Sequence, residues 1–221
     1  MGRAALLADL ASRIADLPDD APRVVGIDGV DGVGKTSFAE EMVAQLRVAG
    51  ATAARVSIDG FHRPRAERYR RGRFSPEGYY RDSFDYRAFR VAVVEPLRPT
   101  GDGLVRTAAF DVRADRPVRG DTVPVAAGDV VVVDGVFLHR PELAAVWDFS
   151  VLLCAPWEVA LARMVARDGR LPPEAVRRYR NGQRLYLARC RPARRASVVV
   201  DNADLEAPRI VGGTAVAGSG T

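Results

Sequence analysis

VVGIDGVDGVGKTSFAEEM, residues Val24 to Met42, carries the strongest structural signal in this 221-residue chain. Within it, GVDGVGKT (Gly29 to Thr36) matches the pattern G-x-x-x-x-G-K-[ST] without a gap. An apolar run precedes the match and a helical pattern follows it, as a strand, a glycine-rich turn and a helix require. We therefore predict a P-loop, in which backbone N–H groups and the positive end of a helix surround phosphate groups.

Lys35 is the only lysine among the 33 lysine and arginine residues. An ammonium group is compact, whereas a guanidinium is a wide planar fork. A single lysine in an arginine-rich chain therefore favours a narrow anionic site. We expect Lys35 to reach the β- and γ-phosphates of ATP and the Thr36 hydroxyl to bind Mg²⁺. The predicted nucleotide-binding residues are Gly29, Val30, Asp31, Gly32, Val33, Gly34, Lys35, Thr36 and Ser37.

Composition narrows the class of protein. A hydrophobic content of 48% and a charged content of 28% are typical of a globular protein, and no apolar run approaches the roughly 20 residues that span a bilayer. Cys154 and Cys190 are too few and too far apart for a metal knuckle, so we expect reduced thiols and a cytoplasmic location. The chain carries a net charge of +5, but its sequence has no motif typical of nucleic-acid recognition. We expect a small-molecule acceptor and no nucleic-acid or membrane partner. Whether the chain forms a homo-oligomer stays open.

Hydrophobic runs and chain breakers predict a single α/β domain over residues 1–210. The fold is a doubly wound, mostly parallel sheet of about five strands with helices on both faces and a helical lid at about 163–195. The predicted strands are Arg23–Asp28, Thr52–Asp59, Asp129–Asp134, Asp148–Ala155 and Ala196–Asp201. The predicted helices are Arg3–Leu17, Thr36–Ala49, Asp85–Glu95, Pro141–Ala145, Pro156–Arg167 and Pro173–Cys190. A hairpin is expected around Leu104–Val125, and residues 211–221 read as a disordered tail.

The P-loop alone leaves several classes of protein open. A GTPase reads guanine with an N-K-x-D motif, which needs a second lysine that this chain lacks. Motor and helicase-type ATPases usually need a longer chain. A small-molecule kinase fits the size best, and a non-catalytic nucleotide-binding module remains the alternative from another class.

Six further segments resemble, in the same order, those of the uridine kinase/phosphoribulokinase-like family, which also holds bacterial pantothenate kinases. SIDGFHRP (Ser57 to Pro64) is similar to the family's D-[DS]-F-[HY] segment, and LARMVARD (Leu161 to Asp168) to its lid motif L-x-R-R-x-x-R-D. The other four are DSFD (82–85), FD (110–111), VVVVDG (130–135) and ASVVV (196–200). The resemblance covers about residues 22 to 203.

The resemblance implies a role for each matching residue. Asp59, at the end of the second predicted strand, would accept the proton of an acceptor hydroxyl, and Asp134 would be the carboxylate on the Mg²⁺ side. Arg163 and Arg167, four residues apart on one helix, would close over the transferring phosphoryl group. The residues expected near the acceptor are Asp59, Phe61, His62, Tyr79, Phe110 and Asp111.

Two departures from the family pattern leave the acceptor open. Tyr79 stands where nucleoside kinases carry an acidic residue for the ribose hydroxyls, and no histidine follows Phe110 and Asp111. A uridine- or cytidine-like nucleoside, phosphorylated on its 5′-hydroxyl, remains the leading acceptor. The alternatives are a sugar, a sugar phosphate, pantothenate or a specialised nucleoside-like metabolite. The choice between ATP and GTP also stays open, and the basic stretch at 63–73 either binds an anionic acceptor or forms a solvated loop.

Overall fold

A six-stranded sheet forms the centre of the protein in the computed structural model, which describes residues 2–214. Its strands are β1 (Arg23–Gly29), β2 (Ala53–Ser57), β3 (Val130–Gly135), β4 (Phe149–Cys154), β5 (Val198–Asp201) and β6 (Arg209–Gly212). They lie in the order β6-β5-β4-β1-β3-β2, and β1 to β5 are parallel while β6 is antiparallel to β5. The predicted doubly wound, mostly parallel sheet is confirmed, with one more strand than expected.

Five longer helices accompany the sheet: α1 (Arg3–Ala15), α2 (Lys35–Val48), α3 (Pro76–Asp82), α4 (Trp157–Asp168) and α5 (Pro173–Cys190). A one-turn α-helix covers Arg65–Arg68, and 3₁₀ turns cover Ile58–Phe61, Pro141–Leu143 and Pro192–Arg194. The predicted helix Asp85–Glu95 is an α-turn at Tyr86–Phe89 that continues as a π-turn at Arg90–Val94 and a 3₁₀ turn at Glu95–Leu97. The predicted hairpin consists of two short antiparallel pairs, Leu104–Arg106 with Thr122–Pro124 and Phe110–Asp111 with Arg116–Pro117.

Valine-rich strands suit this sheet because it is buried on both faces. In β3, Val131 and Val133 point into one core, with Phe61, Phe89 and Phe137. Val130 and Val132 point into the other, against side chains of α1 and α2. Successive residues of a strand face opposite sides of a sheet, so four consecutive valines serve both cores.

Three local expectations need correction. The second strand ends at Ser57 instead of Asp59, because the Ser57 hydroxyl accepts the Asp59 N–H and begins a 3₁₀ turn. Helix α3 was not predicted, although Ser75 caps it by accepting the Gly78 N–H, and Pro76 opens it.

The expected disordered tail also begins too early, because Val211 and Gly212 lie in β6. Residues 215–221 fall outside the described part of the chain. Among residues 2–214, no helix is both long and apolar enough to cross a bilayer.

Candidate active site

A cleft of about 390 Å³ opens at the carboxyl ends of β1 and β3, where parallel α/β sheets hold their ligands. Many of the predicted site residues meet there. The cleft is lined by Asp31, Gly32, Gly34, Lys35, Thr36, Ser37, Asp59, Asp134, Gly135, Val136, Arg163 and Arg167. The P-loop and the start of α2 thus line the cleft together with the carboxylates of Asp59 and Asp134 and two arginines of α4.

The P-loop has the backbone geometry that an anion site requires. Gly34 adopts a left-handed conformation (φ +96°) as the N-terminal cap of α2, with no side chain that caps the helix. The first-turn N–H groups of α2 therefore lack a capping side chain and face the cleft beside Thr36 and Ser37. The Lys35 ammonium donates to the carbonyl oxygen of Val30 at 2.8 Å, which holds its charge over the loop. This donor set fits a polyphosphate.

Asp134 is the penultimate residue of β3 and is 2% exposed. The Thr36 hydroxyl donates to its Oδ2 at 3.2 Å, and Arg55 lies 2.9 Å from its Oδ1. Burial raises the pKa of the Asp134 carboxyl, although the charges of Arg55 and Lys35 oppose this rise. A buried carboxylate beside the P-loop threonine hydroxyl provides oxygen ligands that fit a hard divalent cation such as Mg²⁺.

Asp59 lies across the cleft, in the 3₁₀ turn Ile58–Phe61 that follows β2. It is exposed, whereas its neighbours Ile58 and Phe61 are fully buried and anchor the turn in the core. The hairpin packs against this turn, because the Ala109 N–H donates to the Gly60 carbonyl at 2.8 Å. The carboxylate of Asp59 is therefore free of core packing on a rigidly anchored backbone.

The two arginines of α4 have different surroundings. Arg163 donates to the carbonyl oxygens of Asn202 (3.0 Å) and Ala203 (2.7 Å), so it ties α4 to the loop after β5. The Arg167 side chain is 65% exposed and pairs with its neighbour Asp168 at 2.7 Å. Arg167 can therefore turn into the cleft without breaking a buried contact, whereas Arg163 cannot.

The remaining predicted residues lie around the cleft instead of lining it. Phe61 packs edge to face on Phe89 with ring centroids 5.3 Å apart, and Phe110 is also buried. His62 Nδ1 bonds to the Asp59 carbonyl at 2.8 Å, and burial lowers the pKa of its imidazole. Asp111 accepts from the Arg113 N–H at 2.9 Å within its own turn. Gly29, Val30 and Val33 shape the P-loop from behind.

The chain is similar to kinases of more than one acceptor. Over 154 residues it is 27% identical to a uridine kinase of Leuconostoc citreum, covering 66% of this chain and 69% of that enzyme. Over 161 residues it is 32% identical to a pantothenate kinase of a Nocardioides species, covering 63% and 46% of the two chains. A solved structure described as a possible uridine kinase from Bacillus stearothermophilus superposes with a TM-score of 0.70 at 25% identity, covering 88% and 97%. No protein-family model matches the chain.

These relatives and this solved structure support the predicted resemblance to the uridine kinase/phosphoribulokinase-like family of P-loop kinases. The predicted fold is confirmed, and the kinase names of these relatives support the predicted class of enzyme. The chain spans about half the length of the pantothenate kinase that it matches. Relatives named for different acceptors match at similar identity, so these similarities leave the acceptor undecided.

Sequence reasoning missed the partners of Asp31, the acidic residue inside the P-loop. Tyr79 on α3 donates its hydroxyl to Asp31, and Gln183 on α5 donates to the same oxygen at 2.8 Å. Burial and the neighbouring Asp31 charge raise the pKa of Tyr79 well above its usual range, so the hydroxyl stays protonated. Tyr79 therefore links α3 to the P-loop, and its predicted place near the acceptor stays a prediction.

A second missed group lies behind the P-loop. Asp28 is fully buried and accepts from Nδ1 of His139 at 2.6 Å, from the Tyr186 hydroxyl and, through its other oxygen, from the Gly29 N–H at 2.7 Å. The other nitrogen of His139 lies 3.0 Å from Ser150 Oγ. These residues are up to 158 positions apart in the sequence, and no local pattern joins them.

Proposed function

We propose that this protein transfers the γ-phosphoryl group of ATP to a hydroxyl group of a small molecule. One observation carries the proposal. The P-loop cation Lys35, the Thr36–Asp134 pair and the exposed carboxylate of Asp59 converge on one cleft. A phosphate cradle, a cation site and a separate free carboxylate are the groups that phosphoryl transfer to an alcohol requires.

In the proposed step, the acceptor oxygen attacks the γ-phosphorus of ATP while the bond to the β,γ-bridging oxygen breaks. ADP leaves, and the hydroxyl proton passes to Asp59. Lys35 and the N–H groups of α2 hold the phosphates, and Arg167 turns inward over the equatorial oxygens. Arg163 positions α4. Thr36 and Asp134 would hold Mg²⁺, which would neutralise charge on the phosphates.

The finer assignment concerns the acceptor. A uridine- or cytidine-like nucleoside is one candidate, since one relative is a uridine kinase, and pantothenate is another for the corresponding reason. Tyr79 argues against a ribose, because its hydroxyl is engaged by Asp31 and offers no carboxylate to a ribose diol. A non-catalytic nucleotide-binding module is the competing function, and it predicts nucleotide binding without turnover.

The variant Asp59→Asn tests the proposal, because it keeps the shape of the side chain but cannot take a proton. We expect nucleotide affinity, measured by calorimetry, to be retained, since the P-loop supplies it. ADP release with the best acceptor should fall by roughly 10²- to 10⁴-fold, the usual contribution of a positioned general base.

The matched control is Asp102→Asn, which changes an exposed carboxylate that accepts the Leu104 N–H and does not line the cleft. It should retain activity. Loss of nucleotide binding in Asp59→Asn would make Asp59 structural or a metal ligand, and full activity would place the base elsewhere. Nucleotide binding by the wild type without ADP release on any acceptor would overturn the kinase function.

A further inference from the structure

Arg178 on α5 is a buried cation that has no anionic partner among residues 2–214. The residue is 9% exposed. Its Nε is buried without a hydrogen-bond acceptor, and within residues 2–214 no carboxylate forms an ion pair with its guanidinium. A guanidinium does not lose its proton in proteins, so the charge persists despite burial. A buried charge that lacks a counter-charge destabilises the folded state unless something else compensates it.

Aromatic rings surround this guanidinium. Its carbon lies 4.8 Å from the ring centroid of Tyr79, 5.3 Å from that of Tyr179 and 5.7 Å from that of Tyr69. Ring faces attract a cation, but they do not accept its N–H groups in the plane of the guanidinium. The tyrosines therefore hold the fork in place and leave its hydrogen-bonding edge available, which is the geometry that recognises a carboxylate or a phosphate.

Arg178 lies beside the groups that carry the proposed chemistry. Tyr79, under its guanidinium, bonds to Asp31 of the P-loop. The positive charges of Arg178 and Arg68 both lower the pKa of His62, whose ring bonds to the Asp59 backbone. Arg178 is therefore separated from the cleft residue Asp31 by one tyrosine and lies near the turn that carries Asp59.

A second buried arginine increases the excess of positive charge. Arg68 is 8% exposed, lies 5.3 Å from the Tyr69 ring and has one carboxylate partner, Asp115, at 3.4 Å. The two buried guanidinium groups thus share the Tyr69 ring, and only Arg68 has a carboxylate partner among residues 2–214. By contrast, Arg70 and Arg71 pair with the buried Asp82 at 2.6 and 2.9 Å and are satisfied.

We propose that the acceptor is an anion, a hydroxyl compound whose carboxylate or phosphate group pairs with Arg178 while its hydroxyl faces Asp59. This assignment rests on the proposed kinase function and specifies the substrate class of the same site. It excludes neutral nucleosides and neutral sugars as the preferred acceptors. The Arg63–Arg73 stretch then has two roles, since Arg68 contributes to the anion site and Arg70 and Arg71 hold α3.

The first test compares acceptors that differ in one anionic group. ADP release is measured with the wild type on pantothenate against pantothenyl alcohol, glycerate against glycerol, and ribose 5-phosphate against ribose, with uridine alongside. We expect a kcat/KM at least tenfold higher for the anionic member of the pair that turns over. The carboxylate and phosphate arms identify which anion binds.

The second test replaces Arg178 with methionine and uses Arg177→Met as the control, because Arg177 is the adjacent residue and its side chain is 65% exposed. Arg178→Met should raise KM for the anionic acceptor at least tenfold and leave KM for ATP unchanged. Its melting temperature without substrate should not fall, since the substitution removes an unpaired buried charge. Arg177→Met should match the wild type.

Each outcome decides a separate claim. If uridine or another neutral acceptor turns over better than every anionic one, the anion site is wrong and the kinase stands. If Arg178→Met loses stability and activity on all acceptors equally, Arg178 is a structural part of the tyrosine cluster and the proposal fails. If no acceptor yields ADP, the kinase function itself fails. The wild-type comparison holds even where the variant does not fold.

Discussion

Substituting alanine for Gly32 tests how tightly α4 packs on the P-loop. The motif leaves this position free, since only Gly29 and Gly34 are specified glycines. In the structure Gly32 has a φ of +74°, and a Cβ atom there would lie 2.1 Å from the carbonyl oxygen of Ala160 on α4. That atom belongs to the backbone, so it cannot rotate away, and α4 or the loop must shift by about 0.9 Å or more.

Two terms set the cost of Gly32→Ala. The left-handed backbone costs an L-residue about 1–2 kcal/mol, and forcing extra volume into a packed contact costs about 1–3 kcal/mol. Together they predict a loss of roughly 2–5 kcal/mol in the free energy of unfolding. For a chain of this size, that loss corresponds to a fall in melting temperature of roughly 4–20 °C.

The control is Gly50→Ala, which has a similar φ of +89° but no atom within 4 Å of the new Cβ. It should lose only the backbone term, about 1–2 kcal/mol. Thermal unfolding without ligand measures both variants, and calorimetric nucleotide binding should weaken only for Gly32→Ala, because the shift displaces Arg163. Equal melting temperatures for the two variants would show that α4 does not press on the P-loop and would refute the reasoning.

The remaining predictions concern the charged groups of the cleft. Lys35→Ala should leave the melting temperature nearly unchanged and lower turnover by orders of magnitude. Lys35→Arg should recover little of the lost turnover, because the wider guanidinium does not fit the loop. An arginine variant with most of the wild-type kcat would contradict this expectation. Asp134→Asn should lose Mg²⁺-dependent activity without losing stability at neutral pH. Folding raises the pKa of the Asp134 carboxyl, so the folded protein binds this proton more tightly than the unfolded chain does. The contribution of Asp134 to the free energy of unfolding therefore falls as the pH rises from about 3.9, the pKa of an unfolded aspartate, through its higher pKa in the folded protein. A clear fall in the melting temperature of Asp134→Asn at pH 7 would mean that its pair with Arg55 outweighs burial.

The sequence predicts the P-loop because its requirements are local. The glycines, Lys35 and Thr36 act through backbone conformation and spacing within eight residues, and the apolar run before them must be a strand. The parallel sheet follows for a similar reason, since short valine runs such as Val130 to Val133 fit only strands that are covered on both faces. The position of the only lysine and of the carboxylates at the strand ends is therefore enough to predict a shared cleft from the sequence, without knowledge of the packing.

The acceptor side of the site depends on contacts between distant segments. Arg178 is one arginine in a helix that also carries Arg177 and Arg180, and its sequence neighbours do not distinguish it. The packing of α5 against α3 and against the basic stretch at 63–73 buries the charge of Arg178 among tyrosines. The same packing leaves the Arg177 side chain exposed to solvent. Burial and the presence or absence of a counter-charge are properties of the assembled fold. Local sequence pattern therefore predicts the phosphate chemistry, and tertiary packing determines which arginine is available to an acceptor.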